Sequence, residues 1–420
     1  MVASFAEILD SLLADVWFEL TFLLAVALLS SFIFARLGQP KVIAYIIVGV
    51  AIGPSVLGII EPAEGSASAL PESLLMLAQL GSIVLLFMIG LECDLKEIYT
   101  KRSIAIAVGG VILPWVAGYF LAVLMGYDDN PEFPGQAIFI GATLVATSVA
   151  ITATVTSELG LIGTPVAYAI VGAAVVDDIL GMVVLGISKG LSTGGLDVIG
   201  ILALVIGAVL FVVLGAWLGS RFLTKLVFNV QVSGYRRKLP MSGFILALTI
   251  AFLYSFIAET IQISAIVGAF VAGTAFSGSA LRDGFKKGTM YLEALFVPLF
   301  FVSMGAFLNF RGLPNGWDVL LFASVLTLVA VATKVIGCGV PARMSGMNNM
   351  DSLAVGVGMM PRLEIALVIA FIGVSTDPPI IGQDVYSAVV FMGLATALFA
   401  PTLLKSILKR GGHSILELER

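Results

Sequence analysis

The chain has 420 residues, 59% of them hydrophobic and only 12% charged, where soluble domains run near 45–50% and 25%. That balance excludes a soluble enzyme and a nucleic-acid-binding domain, and reads as an all-α polytopic membrane protein with no cofactor. A net charge of −5 offers no basic footprint, and two cysteines are too few for a disulfide framework or a thiolate metal site.

The N-terminal segment, MVASFAEILDSLLADVWF, carries no Lys or Arg, so it is not read as a secretory signal. Val2, Phe5, Leu9, Leu12, Leu13 and Val16 fall near one face and predict an amphipathic lead-in. Apolar stretches able to cross roughly 30 Å of hydrocarbon then follow about thirteen times. They lie near 17–37, 42–60, 72–93, 103–126, 135–157, 162–188, 197–225, 239–259, 262–277, 290–309, 317–342, 352–374 and 382–408. Basic residues collect on one side, from Arg36, Lys41, Lys101 and Arg102 through Arg236, Arg237, Lys238, Arg282 and Lys286 to Lys405, Lys409 and Arg410. The other side holds only Lys189 and Arg311. This bias places the N-terminus outside and the C-terminus in the cytoplasm.

Spans two and three carry GQPKVIAYIIVGVAIGPSVLG (38–58) and SIVLLFMIGLECDL (82–95). Span five, QAIFIGATLVATSVAITATVTSELG, is crowded with hydroxyls, including Thr143, Thr147, Ser148 and Thr152. Span six, AIVGAAVVDDILGMVVLGI, sets Asp177 beside Asp178 in an apolar helix. A carboxylate at that depth costs about 2.5–3.5 kcal/mol on insertion scales, so the pair reads as an ion or proton site. Span nine, IQISAIVGAFVAGTAFSGSAL (261–281), echoes span two, and ALFVPLFFVSMGAFLN (294–309) echoes span three. Span eleven, LTLVAVATKVIGCGV, supplies Lys334, the one lysine inside an apolar span and the obvious partner for an aspartate. Span twelve, DSLAVGVGMMPRLEIALVIA, places Gly356, Gly358, Pro361 and Arg362 near mid-membrane.

The echoes pair spans one to six with eight to thirteen across an odd offset, which inserts the copies in opposite orientations. The expected organisation is one membrane domain over 1–420: a first repeat over 17–188, a connector helix and loop over 189–238, a second repeat over 239–409 and a short cytoplasmic tail over 410–420. Proline breaks a helix, and broken backbone at membrane depth persists only where protein or a water-filled cavity satisfies it. Spans five and twelve are therefore expected to be discontinuous and to cross beside the acids, with Pro361, Arg362 and Glu364 supporting the break.

RLGQPKVIAYIIVGVAIGPSVLG, LLFMIGLECDLKEI, VVDDILG, LFFVSMG and GVGMMPRLEIALVIA, in this order and across nearly the whole chain, resemble the signature segments of the monovalent cation:proton antiporters of the second cation:proton antiporter family. The resemblance implies a homodimer in which a core bundle moves against a dimerisation panel, with spans three to six and ten to thirteen in the core. It implies that Asp178 is the main ion-binding carboxylate, Asp177 the adjacent acid and Lys334 the base facing them, with Thr147 and Ser148 as polar ligands on a broken helix. Leu363 stands where the family often has glycine. A cytoplasmic nucleotide-binding domain, carried by many potassium-efflux relatives, is not expected.

Two acids and a lysine form a coupled titrating set for which a monovalent cation and protons compete. The chain reads as a sodium:proton antiporter of the plasma membrane, working by elevator-like alternating access. Two acids with a lysine favour more than one proton per cation, and one-for-one exchange through Asp178 is the alternative. Potassium:proton exchange is the nearest rival, since oxygen ligands alone do not set ion size; sodium-coupled symport of an organic anion is the next. An intramembrane aspartyl protease would need its acids to converge from different helices. His413, in the tail, reads as a solvated bystander.

Overall fold

A computed structural model describes residues 16–54, 56–60, 72–93, 95–98, 100–127, 135–306 and 317–412. The amphipathic lead-in before residue 16, Arg311, the tail from His413 onward and the Glu364 side chain lie outside the described residues.

The described chain is helical: α1 (Val16–Arg36), α2 (Lys41–Ile52), α3 (Glu72–Glu92), the single turn α4 (Leu95–Ile98), α5 (Lys101–Leu124), α6 (Gln136–Thr143), α7 (Val149–Glu158) and α8 (Pro165–Thr193). Next, α9 (Val198–Leu218) passes through a π-turn at Gly219–Leu223 into α10 (Thr224–Arg236). The remainder is α11 (Ser242–Thr260), α12 (Ala265–Phe276), α13 (Arg282–Ala306), α14 (Trp317–Met344), α15 (Asn349–Gly358), α16 (Glu364–Ser375) and α17 (Gln383–Arg410). Among the described residues, eight helices are long and apolar enough to cross a membrane. Shorter apolar helices, Lys41–Ile52, Met76–Glu92, Ala265–Phe276 and Ile365–Ser375, lie beside them.

Local sequence sets the ends. Thr164 caps α8 by accepting from the Ala167 amide, Pro165 occupies its first turn, and Gly194 closes it in the left-handed region at φ 78°. Span two was expected to reach residue 60, but α2 stops at Ile52, because Gly53 precedes Pro54 and turns extended at ψ −179°. Span seven runs longer than its apolar pattern, since α10 carries the helix on to Arg236.

The helices sort into two bundles. In the first, α3 packs against α12 and α13, α2 against α13, α11 against α12, and α1 against α2 and α13. In the second, α5 packs against α14, α6 and α8, while α14 packs against α15 and α17. Spans three and ten were expected in the bundle that carries the acids; they belong to the other one. The cause is backbone approach at glycine. A Cβ on Gly49 would meet Val302 O at 2.1 Å, and one on Gly90 would meet Phe270 O at 2.5 Å. Contacts this close are favoured in lipid, where packing rather than water exclusion drives association. α9 touches both bundles, α12 on one side and α8 on the other, and stays apolar and mostly exposed around its circumference.

Candidate functional site

The acids sit in the second bundle where two interrupted helices cross. α6 stops at Thr143 and α7 starts at Val149; α15 stops at Gly358 and α16 starts at Glu364. Pro361 accounts for the second interruption. The first has neither proline nor glycine between residues 144 and 148, and partners from elsewhere hold it open.

Those partners replace the missing helical bonds one by one. The Ser148 amide donates to Pro361 O at 2.7 Å, joining the two breaks directly. Ser148 Oγ caps α7 by accepting from the Ile151 amide at 3.2 Å. Thr147 Oγ1 donates to Met359 O at 3.3 Å and Thr152 Oγ1 to Gly358 O at 2.9 Å, serving the carbonyl end of α15. The carbonyl end of α6 receives two cations: Arg362 Nε donates to Leu144 O and Lys334 Nζ to Val145 O, each at 2.7 Å. A helix C-terminus carries unsatisfied carbonyls and about half a negative charge, so cations belong there.

Lys334, fully buried on α14, donates to Asp177 Oδ1 at 2.7 Å and to Gly110 O at 2.9 Å. With Val145 O, this occupies all three ammonium hydrogens. Asp177 is 0% and Asp178 2% exposed. Consecutive helical residues diverge by about 100°, so the ion pair that engages Asp177 leaves Asp178 pointing in another direction. Asp177 Oδ2 is buried and makes no hydrogen bond among the described residues.

Arg362 is also fully buried, and its Nη1 donates to Ala330 O at 2.6 Å. Its amide donates to Thr396 Oγ1 at 3.0 Å, while Nη2 makes no hydrogen bond among the described residues. Arg362 thus braces α6 and α14 as well as its own break, and adds a positive charge that counting two acids and one lysine omits. Sequence reasoning did not reach Thr396 or the Gly110, Leu144 and Val145 carbonyls. Backbone acceptors have no residue-type signature; a proline four residues downstream is the signal available for Gly110.

Among the described residues no three His, Cys, Asp or Glu side chains gather. A cavity of about 690 Å³ opens at the seam between the bundles, on the side where basic residues collect; Glu92, Tyr168, Thr224, Ser277, Arg282 and Lys286 are among its lining residues. It stops short of the aspartates. On the same side, Glu158 at the end of α7 accepts from the Lys41 amide of α2 at 2.9 Å, tying one bundle to the other. Burial pushes its carboxyl up to about 7; the Lys41 amide and ammonium oppose this, and Glu293 adds to it.

The profile of the family described as "Sodium/hydrogen exchanger, transmembrane" matches residues 22–410. The chain is 36% identical over 398 residues to the Na(+)/H(+)-K(+) antiporter GerN of Bacillus cereus, covering 93% of this chain and 96% of that protein. It is 32% identical over 396 residues to a Na(+)/H(+) antiporter of Enterococcus hirae, covering 93% and 97%. Its fold is similar to that of the sodium proton antiporter MjNhaP1 from Methanocaldococcus jannaschii, with a TM-score of 0.68, 19% identity and coverage of 94% and 97%.

Proposed function

Because the chain belongs to the sodium/hydrogen exchanger family and is a multi-pass monovalent cation:proton antiporter, we propose that it exchanges sodium for protons by elevator-like alternating access at Asp177 and Asp178. The observation that carries this reading is the fully buried Lys334–Asp177 pair at 2.7 Å, set beside a second carboxylate at the crossing of two interrupted helices. A buried pair is a poor stabiliser, because desolvation offsets its attraction. Its value here lies in being exchangeable.

In the resting arrangement Lys334 neutralises Asp177. A dehydrated sodium ion that reaches Asp178 competes with protons there, and its field also competes with the ammonium for Asp177. Thr147 and the carbonyls of the two breaks offer further oxygens. When the cation leaves, protons or the ammonium restore neutrality. Counting Asp177, Asp178 and Lys334, the loaded set is close to neutral in either state and the empty, doubly ionised set carries about one negative charge, while Arg362 adds the same charge to every state, offset by the carbonyl end of α6 that it faces. Crossing the low-dielectric barrier favours the loaded forms. Arg362, held by Leu144 and Ala330 carbonyls, fixes the crossing and is not itself exchanged.

Reciprocal packing supports thirteen spans in two inverted repeats. The helices α2 and α12 are each 12 residues long; Gly49 of α2 meets Gly305 of α13, and Gly273 of α12 meets Gly90 of α3. The first halves of the two interrupted pairs, α6 and α15, pack against α5 and α14 respectively. On this reading 17–188 and 239–409 are the repeats, 189–238 the connector, and 410–420 the tail. The second bundle is the moving element, and the first, with α9, is the fixed panel through which two copies associate. The basic side faces the cytoplasm of a plasma-membrane protein, and the seam cavity is the approach from that side.

Potassium is the second reading, favoured by the name of the Bacillus cereus relative. The test is collapse of a preformed proton gradient in sealed vesicles, with sodium, potassium and lithium added separately. Collapse by sodium that disappears in Asp178→Ala supports the proposal. A potassium-only response moves the assignment to potassium:proton exchange, and no response under a working control refutes antiport at this site.

A further inference from the structure

In a continuous helix the carbonyl of residue 110 accepts the amide hydrogen of residue 114. In α5, residue 114 is proline and has no such hydrogen. Gly110 O is therefore left without its helical donor, and the donor it has instead is Lys334 Nζ at 2.9 Å. Glycine is what lets the ammonium arrive. A Cβ on Gly110 would stand 2.4 Å from Cys338 Sγ and 3.5 Å from both Cε and Nζ of Lys334. One turn face over, a Cβ on Gly109 would lie 2.2 Å from Gly337 O. The backbones of α5 and α14 touch, and Lys334 reaches past α5 to Asp177 on α8.

We propose that Pro114 is a positioning residue for the antiport reaction: by withholding its amide hydrogen it keeps Gly110 O available, so that Gly110 O and Val145 O form a backbone seat for the Lys334 ammonium. The inference rests on the reading of Asp177 and Lys334 as the transport site. The seat matters at the moment of exchange. When a cation or proton takes Asp177, the ammonium loses one of three hydrogen bonds and keeps two, both to carbonyls that do not leave with the ion. Without Gly110 O it would keep one, and an ammonium so poorly solvated in a buried site would hold more tightly to Asp177 and resist displacement.

Pro114→Ala returns the amide hydrogen, so Gly110 O is shared between the restored helical bond and Lys334 and its bond to the ammonium weakens. The expected result is a rise of about tenfold in apparent KM for sodium, equivalent to about 1.4 kcal/mol, with a smaller change in maximal rate. Thermal stability is unchanged or higher, since alanine is far better than proline inside a helix. Pro114→Gly restores the same hydrogen without a Cβ and gives the same KM shift, which keeps the test open should the alanine variant fail to fold.

The coupling is read from stability as well. Pro114→Ala raises the unfolding temperature more in a Lys334→Met background than in wild type, because there the restored amide satisfies a Gly110 O that has lost its donor, whereas in wild type it weakens the Lys334–Gly110 bond. Unchanged KM in folded Pro114→Ala and Pro114→Gly, or equal stabilisation in both backgrounds, overturns the proposal. If Lys334→Met transports with wild-type KM and pH profile, the reading of the transport site fails first.

Discussion

Replacing Lys334 with methionine fills nearly the same volume and removes only the charge and its three hydrogen bonds. Asp177 Oδ1, Gly110 O and Val145 O then lose their donor together. Breaking a buried pair from one side costs about 3–5 kcal/mol, because the remaining charge is uncompensated, and each orphaned carbonyl adds about 1 kcal/mol. Asp177→Asn alone strands the ammonium instead. The double variant strands neither charge, so it should be more stable than the sum of the two single losses by at least about 2 kcal/mol. Thermal or denaturant unfolding of the purified protein in detergent, with all four proteins at one pH, measures this coupling. Lowering the pH should narrow the Lys334→Met deficit, since a protonated Asp177 no longer needs a counter-ion. Additive single losses, or a deficit that ignores pH, would refute the claim that the pair is a mutually compensating unit.

Arg362→Lys keeps the charge but loses the fork that reaches Leu144 O and Ala330 O together; a loss of about 2 kcal/mol is expected, with unfolding temperature as the readout, and an unchanged temperature would contradict the bracing role. Gly305→Ala places a Cβ 2.2 Å from Ile46 O, so α2 and α13 must separate at a cost of about 1–3 kcal/mol; size-exclusion yield and melting temperature report it, and wild-type behaviour would exclude the close approach. Glu158 holds its proton up to about 7, above the ordinary carboxylate value of about 4.3. The folded state therefore binds more protons than the unfolded state between those values, and wild-type stability relative to Glu158→Gln falls as pH rises through that window and levels above it. Melting temperatures of both proteins across the window test the sign; an increase with pH would be the wrong direction.

Several parts of this arrangement were legible because they violate membrane composition. Adjacent acids at residues 177 and 178, a lysine at 334 and a Pro-Arg step at 361–362 are each costly in an apolar span, and the structure draws all of them to one crossing. The interruption in α15–α16 followed from Pro361. The interruption in α6–α7 has no local cause between Leu144 and Ser148; it is set by Arg362, Lys334 and the Pro361 carbonyl, partners 189 to 218 residues away in sequence for the two cations. Bundle membership was misjudged for spans three and ten, since glycine contacts such as Gly90 with Gly273 depend on which helices face each other, and apolar pattern does not say. Gly110 O was invisible as a side chain, although Pro114 marks it.

Competition of cation and proton for one site is tested most directly by sodium binding to the purified protein as a function of pH. Wild type should bind sodium with an apparent Kd that rises about tenfold for each pH unit below the site's titration for each proton displaced, and Asp178→Asn should abolish both the binding and its pH dependence. Sodium binding that is independent of pH, or that survives in Asp178→Asn with an unaltered profile, would contradict it.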